Sequence, residues 1–298
     1  MCQVSTVRLV ENAAARGEFT LIVPPVNFTV RGIYGTTEKE VTKFDNYVER
    51  MIALPDGTDS SQATTAVVIE PDGTVRHVPT RIVTLHGKAY AKVFSLSNST
   101  YAVIRHPITF NDVIAQWAKD AVDDLGSRMV VSGDVNSLFH PDHDITRAEF
   151  AAILVQGLGL KADNAAESLF PDVKPDAWYS GAVPTAHTYH LINGFGDGTF
   201  RPADNITREQ AMAIIANAMN LTGLKDQLLS SQAEDELLKS FVDENNISVW
   251  ARDGIAAAIQ AGIVSGRGGK ELAPKAFITR AEAAVMVQKL LRESQLIE

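Results

Sequence analysis

A threefold internal repeat that begins near residue 109 constrains the fold of this chain more than any other feature. The sequence holds three tryptophans, and each is followed 24 residues later by a proline and five residues after that by a threonine. The aligned sets are Trp117, Pro141 and Thr146; Trp178, Pro202 and Thr207; and Trp250, Pro274 and Thr279. One unit of this length cannot bury its apolar face alone, so the repeat predicts three copies around a shared core.

Each of the three threonines is predicted to begin a helix. The threonine stands in Ile-Thr-Arg, and three residues after it comes Glu149, Gln210 or Glu282, which is the capping-box pattern. Apolar residues then recur at helical spacing and form one stripe per helix. The stripes consist of Phe150, Ala151, Ile153, Leu154 and Leu158; Ala211, Met212, Ile214, Ile215 and Met219; and Ala283, Ala284, Met286, Val287 and Leu291. Another helix is predicted near each tryptophan, so each unit is a helix, a loop and a helix.

The first 106 residues have a different sequence pattern, one typical of β-strands. Short runs rich in β-branched and aromatic residues alternate with turn signals, which favours several short strands in a sandwich. The runs are 21–23, 28–30, 66–69, 81–85 and 90–94, and the turn signals are 55–57, 71–73 and 86–87. Hairpins are predicted at Asp72-Gly73 and at His86-Gly87. Such a segment can also be a spacer that binds no ligand.

The composition argues against several classes of partner. The formal net charge is -9, which disfavours nucleic acid because phosphates need a basic surface. Local arginines can still form an anion site on an acidic protein. No apolar run approaches the roughly 18 residues of a membrane span. Cys2 is the only cysteine, so no internal disulfide can form, and the N-terminus lacks the pattern of a secretory signal.

An enzyme is the main rival interpretation. The histidines are scattered, and the sequence contains no Gly-x-Ser-x-Gly, Walker loop or His-Glu-x-x-His motif. The pairs His187/His190 and His140/His143 could suggest a metal, but the spacing places no third ligand. The Asp-Gly loop of repeat 2 lacks the acidic series of a calcium loop. We therefore predict no enzymatic activity, no cofactor and no metal.

The ordered motifs of the repeat resemble those of a known family. The resemblance is carried by four motifs in a fixed order: Phe-x-Asp-Val, Trp-Ala, Gly-x-Gly-Asp-Gly-x-Phe-x-Pro and Ile-Thr-Arg-Ala-Glu. Through these motifs the chain resembles the S-layer homology module over residues 109–298. The resemblance implies a pseudo-threefold bundle, with the Thr-Arg-Ala-Glu helices at its centre and grooves between neighbouring repeats. It also implies binding to a secondary cell-wall polysaccharide, typically through pyruvylated N-acetylmannosamine.

We therefore predict an α+β chain, in which an N-terminal β-sandwich-like segment precedes an all-α pseudo-threefold bundle of helix–loop–helix repeats. The predicted boundaries are 1–106 for the β segment, 109–162, 169–224 and 241–298 for the repeats, and 225–240 for a polar linker.

The predicted function is non-covalent anchoring of an extracellular or surface protein to the cell wall. The alternatives are a self-assembling surface lattice, or the anchor of a glycoside hydrolase whose catalytic domain lies upstream. Because anchoring requires export, we expect the chain to be the C-terminal part of a longer exported protein.

The motif arginines Arg147, Arg208 and Arg280 are the first binding candidates that the resemblance implies. Each occupies the first position of a predicted helix, where free amides and the helix dipole favour an anion. A guanidinium at that position can hold a ketal carboxylate in a fork. The alternative for each is a surface arginine in a salt bridge.

Three further residue types complete the candidate site. They are the tryptophans Trp117, Trp178 and Trp250, the aspartates Asp112, Asp172 and Asp243, and the glycines Gly133, Gly194 and Gly266. The tryptophans could stack on a sugar face or fill the core. The aspartates could accept sugar hydroxyls, although capping of the first helix is favoured. The glycines could offer backbone amides to a ligand.

The three copies differ in the loop between their helices. Repeat 2 matches the glycine pattern best, over residues 194–202. Repeat 1 lacks two of the glycines, and repeat 3 has Leu272 where an aromatic residue is expected. We therefore expect one or two functional grooves rather than three.

Overall fold

The structure is a computed structural model that describes residues 14, 19–70, 74–162, 169–228 and 234–298. The predicted turn at Asp72-Gly73 lies outside the described residues, as does part of the predicted linker. We call residues 19–105 the β unit and residues 109–298 the repeat unit.

The β unit consists of antiparallel strands in three sheets, so the β-rich character predicted for this region is found. The strands are β1 (Thr20–Asn27), β2 (Val30–Tyr34), β3 (Thr37–Val41), β4 (Lys43–Ala53), β5 (Thr65–Ile69), β6 (Val75–Val78), β7 (Thr80–Leu85), β8 (Lys88–Ser97) and β9 (Thr100–Arg105). One sheet has the order β1-β9-β5-β6, a second has β4-β8-β7, and β2 pairs with β3 alone.

The two larger sheets bury a common apolar cluster. Val68 and Tyr101 contribute to it from the first sheet, and Ile52 and Val93 from the second. Strand β5 is buried along its whole length, which explains its uninterrupted apolar sequence. The predicted hairpin between β7 and β8 is confirmed, and its turn residue His86 has a φ of 49°.

The repeat unit contains seven α-helices among its described residues. They are α1 (Gln116–Ser127), α2 (Arg147–Gly157), α3 (Ala182–Thr188), α4 (Arg208–Leu221), α5 (Glu234–Leu238), α6 (Arg252–Gln260) and α7 (Arg280–Glu293). Thr146, Thr207 and Thr279 cap α2, α4 and α7, each with a complete capping box. The predicted starts of these helices are confirmed. In the described part of the chain, no helix combines the length and apolarity of a membrane span.

The three repeats close into a ring. The second helix of each repeat packs on the first helix of the next, so that α2 contacts α3, α4 contacts α6, and α7 contacts α1. Helix α7 also packs against α2 and α4. The apolar stripes of all three repeats are buried in one cluster, as the repeat predicted.

A ring of backbone hydrogen bonds joins the starts of the central helices. Ile145 N donates to Ile278 O at 3.0 Å, Ile206 N to Ile145 O at 3.0 Å, and Ile278 N to Ile206 O at 3.1 Å. Short β-bridges between the repeats, such as the one between Thr146 and Asn205, accompany these bonds. Each bond joins two different repeats, so the ring is complete only when all three are folded.

The predicted fold class is wrong for the repeat unit, which is not an all-α bundle. Extended backbone forms its central ring, α3 has only seven residues, and repeat 3 contains 3₁₀ turns at Glu244–Asn246 and Val249–Ala251. The loops also bury large side chains, among them Phe139 and Phe200. The extended segments are isolated bridges of one residue, too short to show the alternation of apolar and polar residues that predicts a strand.

The β unit and the repeat unit share a core. Phe94 of β8 belongs to the same buried cluster as the repeat helices. Tyr47 Oη donates to Leu158 O at 2.7 Å, and Arg128 donates to Thr80 O at 3.1 Å. Burial of Tyr47 raises the pKa of its phenol, so this hydroxyl keeps its proton and remains a donor. Through these contacts the β unit packs directly against the repeat unit.

Candidate binding grooves between the repeats

The three motif arginines each reach into the loop of the next repeat. Arg147 Nε donates to Phe200 O at 2.8 Å, and Arg208 Nε donates to Leu272 O at 2.7 Å. Arg280 Nε completes the cycle by donating to Phe139 O at 2.9 Å. In every case the acceptor lies two residues before the repeat's proline. The arginines therefore link the repeats and at the same time place a cation in each groove between them.

We name the grooves by the loop that the arginine enters. The first groove contains Arg280, Glu149 and Gly133, the second contains Arg147, Gln210 and Gly194, and the third contains Arg208, Glu282 and Gly266.

The amides at the helix starts, which the sequence analysis expected to be free for an anion, are already occupied. Arg147 N donates to Asp204 O at 2.9 Å, and the next amide donates to Pro202 O at 3.1 Å. The third amide, from Glu149, is taken by the Thr146 hydroxyl. The helices α4 and α7 show the same pattern. An anion in these grooves would therefore meet the guanidinium group rather than the helix amides.

The three arginines differ in their charged partners. Arg208 contacts the Glu282 carboxylate at 2.8 Å, and Arg280 contacts Glu149 at 3.4 Å. Gln210 stands in the place of these glutamates in repeat 2. Among the described residues, no carboxylate lies within salt-bridge distance of Arg147. The alternative interpretation was a surface arginine in a salt bridge. Arg208 and Arg280 do form salt bridges, but Arg147 and Arg208 are buried rather than at the surface.

Aromatic rings replace the missing carboxylate around Arg147. Its guanidinium carbon lies 4.7 Å from the ring centre of Phe195 and 4.6 Å from that of Phe200, which is the range of cation–π contacts. Its Nη2 donates to Asn193 O at 3.3 Å. Burial lowers the pKa of Arg147 to about 10, so the group stays charged at neutral pH.

The first and third grooves carry further charged residues at the position of Phe195. In the third groove this residue is Arg267, whose Nε lies 2.8 Å from Glu282 Oε1. In the first groove it is Asp134, and the hydrogen bond from His140 helps to lower the pKa of Asp134 to about 2. In the first groove Arg280 pairs with Glu149 and Asp134 pairs with His140, whereas in the third groove two arginines share one carboxylate. These three residues were not among the predicted site residues, although an alignment of the loops at their first glycine places them in one column.

The motif aspartates clamp the loops and do not cap the first helices. Asp172 accepts from Phe200 N at 2.9 Å and from Arg201 N at 2.6 Å. Asp112 and Asp243 bind the equivalent amide pairs of their own repeats. The clamped residue before each proline has a positive φ, 57° at Arg201, so the carboxylate holds a turn that would otherwise be strained. The predicted capping role is wrong, because α1, α3 and α6 begin without a side-chain cap.

The three tryptophans lie at the surface, so the prediction that they might fill the core is wrong. Their exposed fractions are 58% for Trp117, 66% for Trp178 and 61% for Trp250. Trp117 lines a cavity of about 590 Å³ together with Arg208, Gly266 and Glu282 of the third groove. That volume is in the range of small-molecule sites, roughly 300–1,000 Å³.

The motif glycines allow the loop to approach the aromatic residue of Phe-x-Asp. A Cβ on Gly194 would lie 2.5 Å from Cε1 of Phe170, and one on Gly266 would lie 2.7 Å from Cε1 of Phe241. A Cβ on Gly133 would lie 2.9 Å from the backbone of Ser137. The glycines therefore shape the grooves, and their use of amides to hold a ligand stays a prediction.

The histidines near the first groove form no metal site. His140 and His143 stack with ring centres 4.8 Å apart, and His140 Nε2 lies 2.9 Å from Asp134 Oδ2. Within the part of the chain that the structure describes, no group of three or more His, Cys, Asp or Glu side chains could hold a metal ion.

Three units joined in a ring, with an arginine at each boundary and an exposed indole beside the arginine of the third groove, define a repeat protein with a ligand-sized groove. The model of the S-layer homology domain matches residues 109–151, 169–212 and 240–284. The chain therefore belongs to the S-layer homology domain proteins and carries three of these domains in tandem.

Known proteins from several bacteria resemble the chain over this region. An amylopullulanase of Thermoanaerobacterium thermosulfurigenes is 38% identical over 66% of this chain and 10% of its own length. Exoglucanase XynX of Acetivibrio thermocellus is 36% identical over 67% of this chain and 18% of its own. The surface-layer 125 kDa protein of Lysinibacillus sphaericus is 32% identical over 60% of this chain and 14% of its own length. The chain thus spans less than a fifth of each of these relatives.

Proposed function

We propose that this chain anchors an exported protein to the bacterial cell wall by binding a secondary cell-wall polysaccharide in the grooves between its repeats. Membership of the S-layer homology family supports this role, as does the similarity to a surface-layer protein. An exposed indole next to a guanidinium also suits a sugar that carries an acidic group. The role is one of binding, at the cell wall or cell surface, and not of catalysis.

We further propose that the acidic group is the ketal carboxylate of a pyruvylated N-acetylmannosamine and that it binds in the second groove. The observation that carries this proposal is the buried charge of Arg147, which has carbonyl and aromatic neighbours and no carboxylate partner among the described residues. The carboxylates of Asp204 and Asp172 act on Arg147 only from beyond salt-bridge distance, so this cation gains more from an incoming anion than an arginine that is already paired.

The other two grooves suit an anion less well. In the third groove the two arginines share Glu282, which leaves one positive charge in excess. In the first groove Arg280 is already paired with Glu149, and His140 binds the further carboxylate of Asp134. We therefore infer one strong site, in the second groove, and weaker sites in the other two.

The cargo of the anchor lies outside this chain under this proposal. Two of the relatives are named as enzymes and one as a surface-layer protein. Either kind of protein could be carried by the same repeat unit, because the grooves lie between the repeats themselves.

The test is sedimentation of the full chain with purified wall sacculi, before and after acid extraction of the secondary polymer. We expect the chain to sediment with intact sacculi and to stay in solution with extracted ones. Equal sedimentation with both would exclude the polymer as the ligand, and no sedimentation with either would exclude wall anchoring by this chain.

Self-assembly into a lattice is a second candidate, and the hairpin of β2 and β3 favours it. Every residue of β2 is exposed, including Ile33 at 76% and Tyr34 at 90%. Exposed apolar tips of this kind can mark a protein contact. Sedimentation velocity at rising concentration, with an Ile33→Ser/Tyr34→Ser variant beside the wild type, tests this candidate. A wild type that stays monomeric would exclude it.

A further inference from the structure

A second cavity lies where the β unit meets repeats 1 and 2. It has a volume of about 520 Å³ and is lined by Glu70 and Arg76 of the β unit and by Gln156, Lys161 and Trp178 of the repeat unit. Gln156 lies on α2, two helical turns beyond the Glu149 of the first groove, which corresponds to about 10 Å along the helix. The cavity therefore lies along the same face of α2 as that groove, and the β unit supplies one of its walls.

The polar wall of this cavity is assembled from both units. The Glu70 carboxylate lies 2.7 Å from Lys161 Nζ and 3.4 Å from Arg76 Nη2. Arg76 also donates to Gly159 O, and its Nε is buried without a hydrogen-bond partner. Two cations share one carboxylate, so one positive charge is in excess, and the wall offers several hydrogen-bond donors and acceptors. Side chains of this kind can bind the hydroxyl groups of a sugar.

Another part of the lining is apolar and includes an exposed indole. Ala152, Val155 and Ala182 line it, and Trp178 stands beside them with 66% of its surface exposed. A pyranose ring presents a C–H face and a rim of hydroxyls, so it can stack on the indole while its hydroxyls face the polar wall. The pairing of an apolar wall with a charged hydrogen-bonding wall is the common arrangement of a small-molecule site.

The position of the cavity is fixed by the contacts between the two units. Gly159, which follows α2, has a φ of +63°, and a Cβ there would lie 2.6 Å from Cδ of Pro79. The bond from Tyr47 to Leu158 O lies one residue away. The cavity therefore lies at an interface where the two units are in close contact.

We propose that this cavity is a composite sugar subsite, in which the β unit extends the first groove and binds an uncharged pyranose residue of the wall polymer. The subsite rests on the proposed function, since it takes a residue of the same glycan. Trp178 stacks on the sugar, and Lys161, Gln156 and Glu70 bind its hydroxyls. The β unit then forms part of the binding site and selects which neutral sugar the subsite binds.

The experiment is calorimetric titration of the full chain with trisaccharide fragments of the wall polymer from which the ketal has been removed. The test variant is Gln156→Ala/Lys161→Ala, whose two side chains are exposed, so folding should be unaffected. The matched control is Lys92→Ala, which removes a lysine of the β unit that is likewise paired with a glutamate, Glu49 at 3.1 Å, but lies outside the cavity. Loss of two polar contacts should weaken binding about tenfold in the test variant, while the control and Lys161→Arg should bind like the wild type.

Unchanged affinity in the test variant would overturn the subsite. The acidic polymer, titrated in parallel, separates this inference from the proposed function. A wild-type chain that binds the acidic polymer but not the neutral trisaccharide would overturn the subsite alone. A wild-type chain that binds neither would overturn both.

Discussion

The second and third grooves have the same backbone design and differ in two side chains, the capping-box residue and the residue after the first glycine of the loop. In both, an arginine from the preceding repeat donates its Nε to a loop carbonyl, at 2.8 Å for Arg147 and 2.7 Å for Arg208. In the third groove the capping-box residue is Glu282, which binds the arginine, whereas in the second it is Gln210. Both residues cap their helix equally well, so the exchange changes the electrostatics of the groove without changing its fold.

This comparison shows how a structural position can also control a binding site. The acid of a capping box is needed only as an acceptor for one backbone amide, and an amide oxygen serves as well. Its second oxygen is free to neutralise the neighbouring arginine. A glutamine at this position therefore leaves a buried guanidinium available to a ligand.

The largest expected effect is that of Arg147→Ala. Loss of a charge-assisted pair with a carboxylate should cost about 2–3 kcal/mol of binding free energy. The measurement is calorimetric titration with the pyruvylated polymer fragment, accompanied by thermal unfolding to check the fold. The matched control is Arg280→Ala, the same motif position in the first groove. Equal losses in the two variants would contradict the assignment of the acid to the second groove.

The next effect is that of Gln210→Glu, which gives the second groove the capping-box residue of the other two. The new carboxylate should bind Arg147 and compete with the ligand, so affinity for the acidic fragment should fall about tenfold, or ~1.4 kcal/mol. Stability should be retained because the capping box is preserved. In the reverse experiment, Glu282→Gln should strengthen binding to the third groove. Wild-type affinity in the Gln210→Glu variant would show that the charge of Arg147 does not bind the ligand.

The smallest effect concerns stability against pH. Burial raises the pKa of Glu282, but the hydrogen bond from Arg267 and the charge of Arg208 outweigh it, so the pKa lies below its ordinary value of 4.5. A carboxyl whose pKa is lowered on folding stabilises the protein above the unfolded pKa, and that stability is lost as the pH falls through the folded pKa. The free energy of unfolding of Glu282→Gln should therefore lie about 1 kcal/mol below wild type at pH 7. Urea unfolding should show the difference closing below pH 4, and a constant difference would contradict this role of the carboxylate.

The local parts of this structure could be predicted from the sequence. The capping boxes at Thr146, Thr207 and Thr279 depend on residues three apart, so pattern alone located the three helix starts. The hairpin turn at His86-Gly87 is equally local. The candidate arginines and tryptophans could be chosen because the repeat aligned them.

The parts that depend on distant residues could not be predicted. The aspartate clamps join residues 27 to 30 positions apart, and Arg280 reaches a carbonyl 141 residues away. The run 28–30 was predicted as a strand, but only Val30 belongs to one. Strand β4 was missed because its exposed polar residues hide its alternation. The shared core of the two units was missed because nothing in the local pattern of β8 marks Phe94 as a partner of the repeats.

The most direct test of the central claim is a titration of the full chain with one polymer fragment in two forms, with and without its pyruvate ketal. We predict that removal of the ketal weakens binding to the wild type about tenfold or more. The same removal should have little effect on the Gln210→Glu variant, because the ketal carboxylate and the introduced side-chain carboxylate would compete for the guanidinium of Arg147. An equal loss in both proteins would contradict the claim that the second groove binds the acid of the cell-wall polymer.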